Sequence, residues 1–248
     1  MIDEKTMLID CHAHTAEVSP CCKSTAEEVL IATKKRGVDG IILTNHYADY
    51  YVLVSKIYAD AAEMAKKHLE EYEYTKALGE KHGLSVFFGV EISMSSSKGL
   101  HMLVYGVDEK FMYDNLHMYS YSQEELYHAV KEAGGALIQA HPMRGGKNLL
   151  VDPKFLDGVE LSSNLNRDGT HCEELERFAH ENGLILTSGG DYHGDSPRPH
   201  CGMYLPNSIK DTKDFARYLL NTDSVHLRMQ ESKQSESYEK IFIRNKGE

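Results

Sequence analysis

The sequence is short of cysteine, of positive charge and of long apolar runs, and each shortage closes off a class of protein. Five cysteines stand at irregular spacing among 248 residues. An odd count cannot form a fully paired disulfide framework, so a reducing, cytoplasmic setting is expected. Cys21 and Cys22 are adjacent. Neighbours in sequence seldom ligate one tetrahedral ion together, so both read as free thiols. No apolar stretch approaches a bilayer span, and residues 1–5 lack the basic-then-apolar layout of a signal peptide. Lysine and arginine number 27 against 38 acidic residues, a formal charge of −11. That balance argues against broad adhesion to DNA or to anionic membranes. It leaves room for a small anionic substrate, because bound metal creates a local positive field inside an acidic protein. A glycine-rich dinucleotide fingerprint and a phosphate loop with Gly-Lys-Ser/Thr are also missing.

What is present is alternation. Apolar runs at 7–11, 40–44, 85–90, 101–105, 136–140, 158–161 and 184–187 read as strands. Between them lie helical stretches. One opens on the capping-box spacing of Ser24 and Glu27 and stops at Gly37, and another covers 55–82 and closes at Gly83. A third starts at Ser122 with Glu125 in the same spacing, and a fourth covers 171–182. No linker or composition shift appears before residue 228. Residues 1–228 therefore read as one α/β domain with a parallel sheet, and seven strands suit a barrel better than an open sheet. The segment 229–248 is polar and carries one short β-like run, Ile241-Phe242-Ile243, with its structure left open.

The chemistry-bearing residues cluster at strand ends. His12 and His14 follow the first strand, His46 the second, Glu91 closes the third, His141 ends the fifth, and Asp191 and His193 follow the last. In a barrel of parallel strands those ends share one face, where active sites of this architecture lie. His12 and His14 point to one side because extended side chains alternate with period two, and Asp191 and His193 repeat the pattern. His101 stands at the start of its strand, so a short turn after Glu91 would have to reverse the chain to bring it to the same rim. Histidine and carboxylate ligands in such pairs suit Zn, Mn or Fe, and a carboxylate such as Glu91 can bridge two ions. His68, His82, His117, His128, His171 and His180 fall on helical or loop stretches and read as surface or packing residues.

Taken in order, His12-Ala13-His14, Thr44-Asn45-His46, Gly89-Val90-Glu91, His101, Ala140-His141-Pro142 and Gly190-Asp191-Tyr192-His193 resemble the PHP domain, named for polymerase and histidinol phosphatase. The resemblance covers roughly residues 7–205. It implies a distorted seven-stranded (βα) barrel, two or three divalent metal ions and phosphoester hydrolysis. Carried over, it places His12, His14, Glu91 and Asp191 on a first ion, and Glu91, His101 and His141 on a second. His46 and His193 would hold a third, with Glu17 as the candidate for a further ligand from the loop after His14. Catalysis would centre on Asp191, Glu91, His12 and His14. Many relatives carry Asp where this chain has Asn45, an amide that can hydrogen-bond but brings no charge.

Arg144, three residues past His141, is placed to grip a phosphate oxygen, with Lys23 and His200 as further substrate-binding candidates. The expected activity is a phosphatase that uses a metal-activated water on a small monoester, histidinol phosphate being a candidate. The alternatives are a nucleotide phosphodiesterase or exonuclease, an amidohydrolase, and a non-catalytic metal-binding module. With no basic run interleaved with aromatics, an extended nucleic acid is not an expected partner, nor is a membrane. Oligomeric state is not legible.

Overall fold

The computed structural model describes residues 6–97, 99–144, 149–162, 171–194, 198–230 and 235–246. The chain runs from β1 (Thr6–Ala13) through α1 (Ala26–Lys35) to β2 (Gly40–Leu43), the two-residue β3 (His46–Tyr47) and a short α2 (Asp49–Leu53). A long helix, α3 (Ala61–His82), leads to β4 (Ser85–Ser93) and β5 (His101–Tyr105). Next come α4 (Glu109–Asp114), α5 (Gln123–Glu132), β6 (Ala136–Gln139), β7 (Gly158–Ser162), α6 (Cys172–Glu181) and β8 (Ile185–Gly189). β9 (Gly202–Pro206), α7 (Thr212–Asn221), β10 (Ser224–Met229) and β11 (Tyr238–Ile243) follow. No helix among the described residues is long and apolar enough to cross a membrane.

Local chemistry sets the helix ends. The reciprocal capping box of α1 uses Thr25 and Glu28, one residue along from the spacing read at Ser24. The box at Ser122 and Glu125 opens α5 as the spacing predicts. α3 starts later than residue 55, because Asp60 accepts the Glu63 amide at 2.8 Å and so fixes the first turn. It stops at Gly83, whose φ of 71° is the left-handed turn that glycine adopts without steric cost.

The strands form one mixed sheet in the order β11-β10-β9-β1-β2-β4-β5-β6-β7-β8, with β3 alongside β4. Pairing is parallel for β1/β2, β2/β4, β3/β4, β6/β7 and β7/β8. It is antiparallel around β5 and through β1/β9, β9/β10 and β10/β11. This corrects the expectation of an all-parallel sheet. Only residues 94–100 separate β4 from β5, and a parallel crossover needs about a dozen or more. The chain instead folds back, pairing Ser93 with His101, which is the reversal that His101 requires to reach the rim. β9, β10 and β11 add an antiparallel wing, and the apolar run at Ile241-Phe242-Ile243 is the end of its outer strand.

The sheet nearly closes on itself. β8 returns beside β1 through a parallel bridge of Ala13 with Tyr192 and a 3.2 Å bond from the His14 amide to the Tyr192 carbonyl. Gly189 permits this approach, since a Cβ there would lie 2.4 Å from His12 Cβ. Ser188 of β8 also donates to the Arg228 carbonyl of β10 at 2.8 Å. Ile9, Ile42, Val90, Leu103, Ile138, Val159 and Leu186 are buried along the strands. Polar side chains take over at their ends, and there the site is built.

Candidate metal centre

Glu91 occupies the middle of the rim. Its Oε2 lies 2.7 Å from His46 Nδ1, 3.2 Å from His12 Nε2 and 3.3 Å from His14 Nε2. Its Oε1 lies 2.8 Å from His101 Nδ1 and 2.9 Å from His141 Nε2. The elements explain this convergence. Register pairs His46 with Glu91 on parallel strands and Leu103 with Glu91 on the returning strand, so β3 and β5 bring their histidines to β4 from opposite sides. Asp191 adds a second carboxylate: Oδ1 is 3.1 Å from His14 Nε2, 3.3 Å from His193 Nδ1 and 3.4 Å from His12 Nε2.

Three groups of ligand atoms, each within 4.8 Å, result: His12, His14, Glu91 and Asp191; His46, Glu91 and His101; and His14, His46 and His193. The first has the membership that the sequence resemblance implied for one ion. His141 joins the second through the same Glu91 oxygen. Several atoms here fit a metal better than a proton. His12 Nε2, His46 Nδ1 and Glu91 Oε2 are buried and have no hydrogen-bond partner, although they approach one another closely. Buried polar atoms left unpaired are costly, and a cation among them would satisfy all three at once.

The electrostatics agree. Burial alone would raise the Glu91 carboxyl, but His46, His12 and His101 hold it well below the usual carboxylate range. Asp191 is likewise held low, by Arg144 and His12 against its burial. Burial, with His193 and His46 beside it, lowers His14 to about 3, leaving the neutral imidazole that ligates metal. His46 is buried too, yet Glu91 raises it to about 10, so metal binding there would release a proton.

Residues behind the cluster aim it, and two of them, Glu160 and Asp10, the sequence reading did not single out. Buried Glu160 in the middle of β7 accepts from His12 Nδ1 at 2.9 Å and from the His141 amide at 2.9 Å. The first bond directs His12 Nε2 inward, and the second holds the backbone of His141, whose φ is 30°. Buried Asp10 does the same for β1 and β8, accepting from the His12 and Gly190 amides while pairing with Arg198 at 2.5 Å. That bond steadies the turn before Asp191, whose φ is 45°. Asn45 accepts from Thr15 N and Ser19 Oγ, both at 2.9 Å, so its amide ties down the loop after His14. His68 is buried outside the cluster, bonded to the carbonyls of Met64 and His46.

The remaining candidates divide. Arg144 reaches the cluster, donating to Asp191 Oδ2 at 2.6 Å. Glu17 does not: it is exposed, belongs to none of the three groups, and its carboxylate neighbours Glu71. Lys23 is exposed, with its amide bonded to the His193 carbonyl. His200 is engaged elsewhere, by Arg228 and Ser237 on the antiparallel wing. Burial acts to raise the Cys21 thiol, but the neighbouring His193 and His46 bring it down to about 6. A cleft of about 400 Å³ opens beside His46 and His101, walled by Asp49, Tyr50, Tyr51 and Ser95. A larger groove of about 710 Å³ between α3, α4 and α7 contains none of the site residues.

No family model and no curated protein matches the sequence. Solved structures do match. One is a two-domain protein from Bacteroides vulgatus ATCC 8482 containing a predicted PHP-like metal-dependent phosphoesterase, with 13% identity and a TM-score of 0.65 over 91% of this chain. This chain spans 65% of that protein's length. Another, from Bifidobacterium adolescentis ATCC 15703, is assigned as a metal-dependent phosphoesterase, with 18% identity and a TM-score of 0.53 over 86% of this chain and 95% of that one. A third is an amidohydrolase from Chromobacterium violaceum with bound sulfate and no metal, with 16% identity and a TM-score of 0.52 over 85% and 96%. At these identities the likeness establishes the fold, a mixed α/β, PHP-like barrel.

Proposed function

We propose that the chain is a metal-dependent phosphoesterase whose preferred substrates are small phosphate monoesters. The observation that carries the metal centre is Glu91, buried with both oxygens facing five imidazoles. The phosphoester assignment draws on two structural neighbours and on Arg144, which brings a guanidinium to the edge of the cluster. The amidohydrolase neighbour shares the fold, but the bridging place that a modified lysine often takes in that chemistry belongs here to Glu91.

The residues present fit two or three divalent ions of the Zn, Mn or Fe type. His12, His14, Glu91 and Asp191 would hold one, Glu91 with His101 and His141 a second, and His46 with His193 a third. Such ions supply Lewis acidity toward a phosphoryl oxygen and hydroxide at neutral pH. The chain does the rest. Glu91 would hold both of the first two ions, Glu160 and Asp10 keep His12, His141 and the turn before Asp191 in place, and Arg144 would offer donors to a phosphate oxygen. The cleft beside His46 is of the size that admits a small molecule, about 300–1,000 Å³ being usual. The net charge of −11 provides no basic track for a polymer. Histidinol phosphate is the candidate substrate, and an exonuclease engaging a terminal nucleotide is the competing reading.

The test is a comparison of kcat/KM for metal-replete protein on histidinol phosphate, mononucleotides, a simple diester and single-stranded oligonucleotides over a range of salt. The expected order puts a monoester first with weak salt dependence. Higher efficiency on long oligonucleotides with steep salt dependence would overturn the small-substrate reading. Failure to hydrolyse any phosphoester would overturn the function.

A further inference from the structure

The cleft beside the metal centre shares His46 and His101 with it, so a group attached to a phosphate on the centre has this cleft before it. Asp49, at the first position of α2 and just past His46 in the chain, lines the same cleft. One bond sets its carboxylate: Ser95 Oγ donates to Asp49 Oδ2 at 2.7 Å. Ser95 is held in turn by its amide, bonded to the Tyr119 carbonyl at 2.8 Å, and the Met94 amide closes the same turn on the Leu100 carbonyl at 2.9 Å. The other oxygen, Asp49 Oδ1, receives no hydrogen bond from the described residues, and no lysine or arginine among them lines the cleft or pairs with Asp49. Tyr50 and Tyr51 also line it, their rings edge to face, and Met94 and Leu100 add apolar surface. A carboxylate with an open oxygen, beside aromatic rings and an apolar surface, is the donor set that receives an organic ammonium.

We propose that Asp49 determines specificity at this site by receiving a positively charged amino group on the leaving alcohol, so that the preferred substrates are phosphate monoesters of amino alcohols. This rests on the phosphoesterase reading above and deepens it. Beside a cationic centre an ammonium needs an anion to meet it, and the same anion disfavours a leaving group that carries a second phosphate. The apolar surface of Met94 and Leu100 suits the carbon stem between the two charged ends. Hydrolysis breaks the bond between phosphorus and the ester oxygen. Water supplies the new oxygen on phosphorus and the proton of the departing amino alcohol.

The experiment assays metal-replete full-length protein at neutral pH on an ω-aminoalkyl phosphate and on the uncharged alkyl phosphate of the same chain length. Wild type is expected to favour the amine about 10-fold in kcat/KM, mostly through KM, because the contact with Asp49 persists from bound substrate to transition state. In Asp49→Asn that ratio should fall to about 1. Asparagine can still accept from Ser95, so the clamp on the turn is kept while the charge is removed. Calorimetry of wild type with the matching non-hydrolysable phosphonates reads the same preference as binding, and needs neither turnover nor a variant. Equal efficiency and equal binding for the two in wild type would overturn the role of Asp49 and leave the phosphoesterase reading standing. A preference that persists in Asp49→Asn would also overturn it, by moving the cation to another group. Wild type that hydrolyses no phosphate monoester would overturn both readings.

Discussion

Glu91 at the rim and Glu71 in the middle of α3 are both buried carboxylates, 0% and 7% exposed. Burial pushes both upward, and their neighbours then separate them. At Glu91 the imidazoles of His46, His12 and His101 overcome burial and keep the carboxyl ionised. Glu71 meets the hydroxyls of Thr15 and Thr75 and the carboxylate of Glu17, and burial with that like charge carries it to about 7. One buried glutamate is thus a permanent anion ready to bridge cations, and the other holds its proton up to neutral pH. A buried acid is therefore not in itself a functional signal in this fold; the convergence of ligand atoms on it is.

The sharpest way to break the comparison is Glu91→Ala. Activity is expected to fall about a thousandfold or more, because metal-stabilised charge is lost with the bridge. Metal analysis should show two equivalents loosened together. Near-normal turnover with full metal content would remove Glu91 from the centre. A smaller effect is expected at Glu160, the buried carboxylate one step behind. In Glu160→Gln one carbonyl oxygen must replace two that now serve His12 and His141. Metal affinity should weaken about 10- to 100-fold in competition with a chelator, and unchanged affinity would make Glu160 a packing residue.

The smallest effect is expected at Glu71, and it concerns stability. A carboxyl whose folded pKa stands above its unfolded value of about 4.5 penalises the fold as pH rises from 4.5, reaching the full penalty above 7. Glu71→Gln should therefore stabilise the protein by about 1–2 kcal/mol above pH 7 and by close to nothing near pH 4, where the wild-type acid is itself neutral. Thermal unfolding across that range measures it. A gain that is equal at both ends would show that packing, not ionisation, sets the cost.

Much of this was present in the chain before folding. The period-two pairs His12/His14 and Asp191/His193, and single ligands at the ends of apolar runs, mark the rim because strand periodicity is local. The short stretch from Glu91 to His101 left room for a reversal, and the strand ends in the fold make it necessary, since the seven residues between β4 and β5 cannot cross a sheet in parallel. The antiparallel wing was less legible, because β9 is five residues long and its pairing with β1 joins segments far apart in sequence. Tertiary structure alone decided which acids serve the histidines. His12 and Glu160 are separated by 148 residues, and only sheet register brings them to 2.9 Å. It also kept Glu17 out of the three groups of ligand atoms. Residue type made this carboxylate a candidate ligand, but Glu17 is exposed and lies beside Glu71 instead. Period and spacing are properties of neighbouring residues and can be read from a sequence. The direction of a loop side chain is set by what the loop packs on, and that exists only once the barrel has closed.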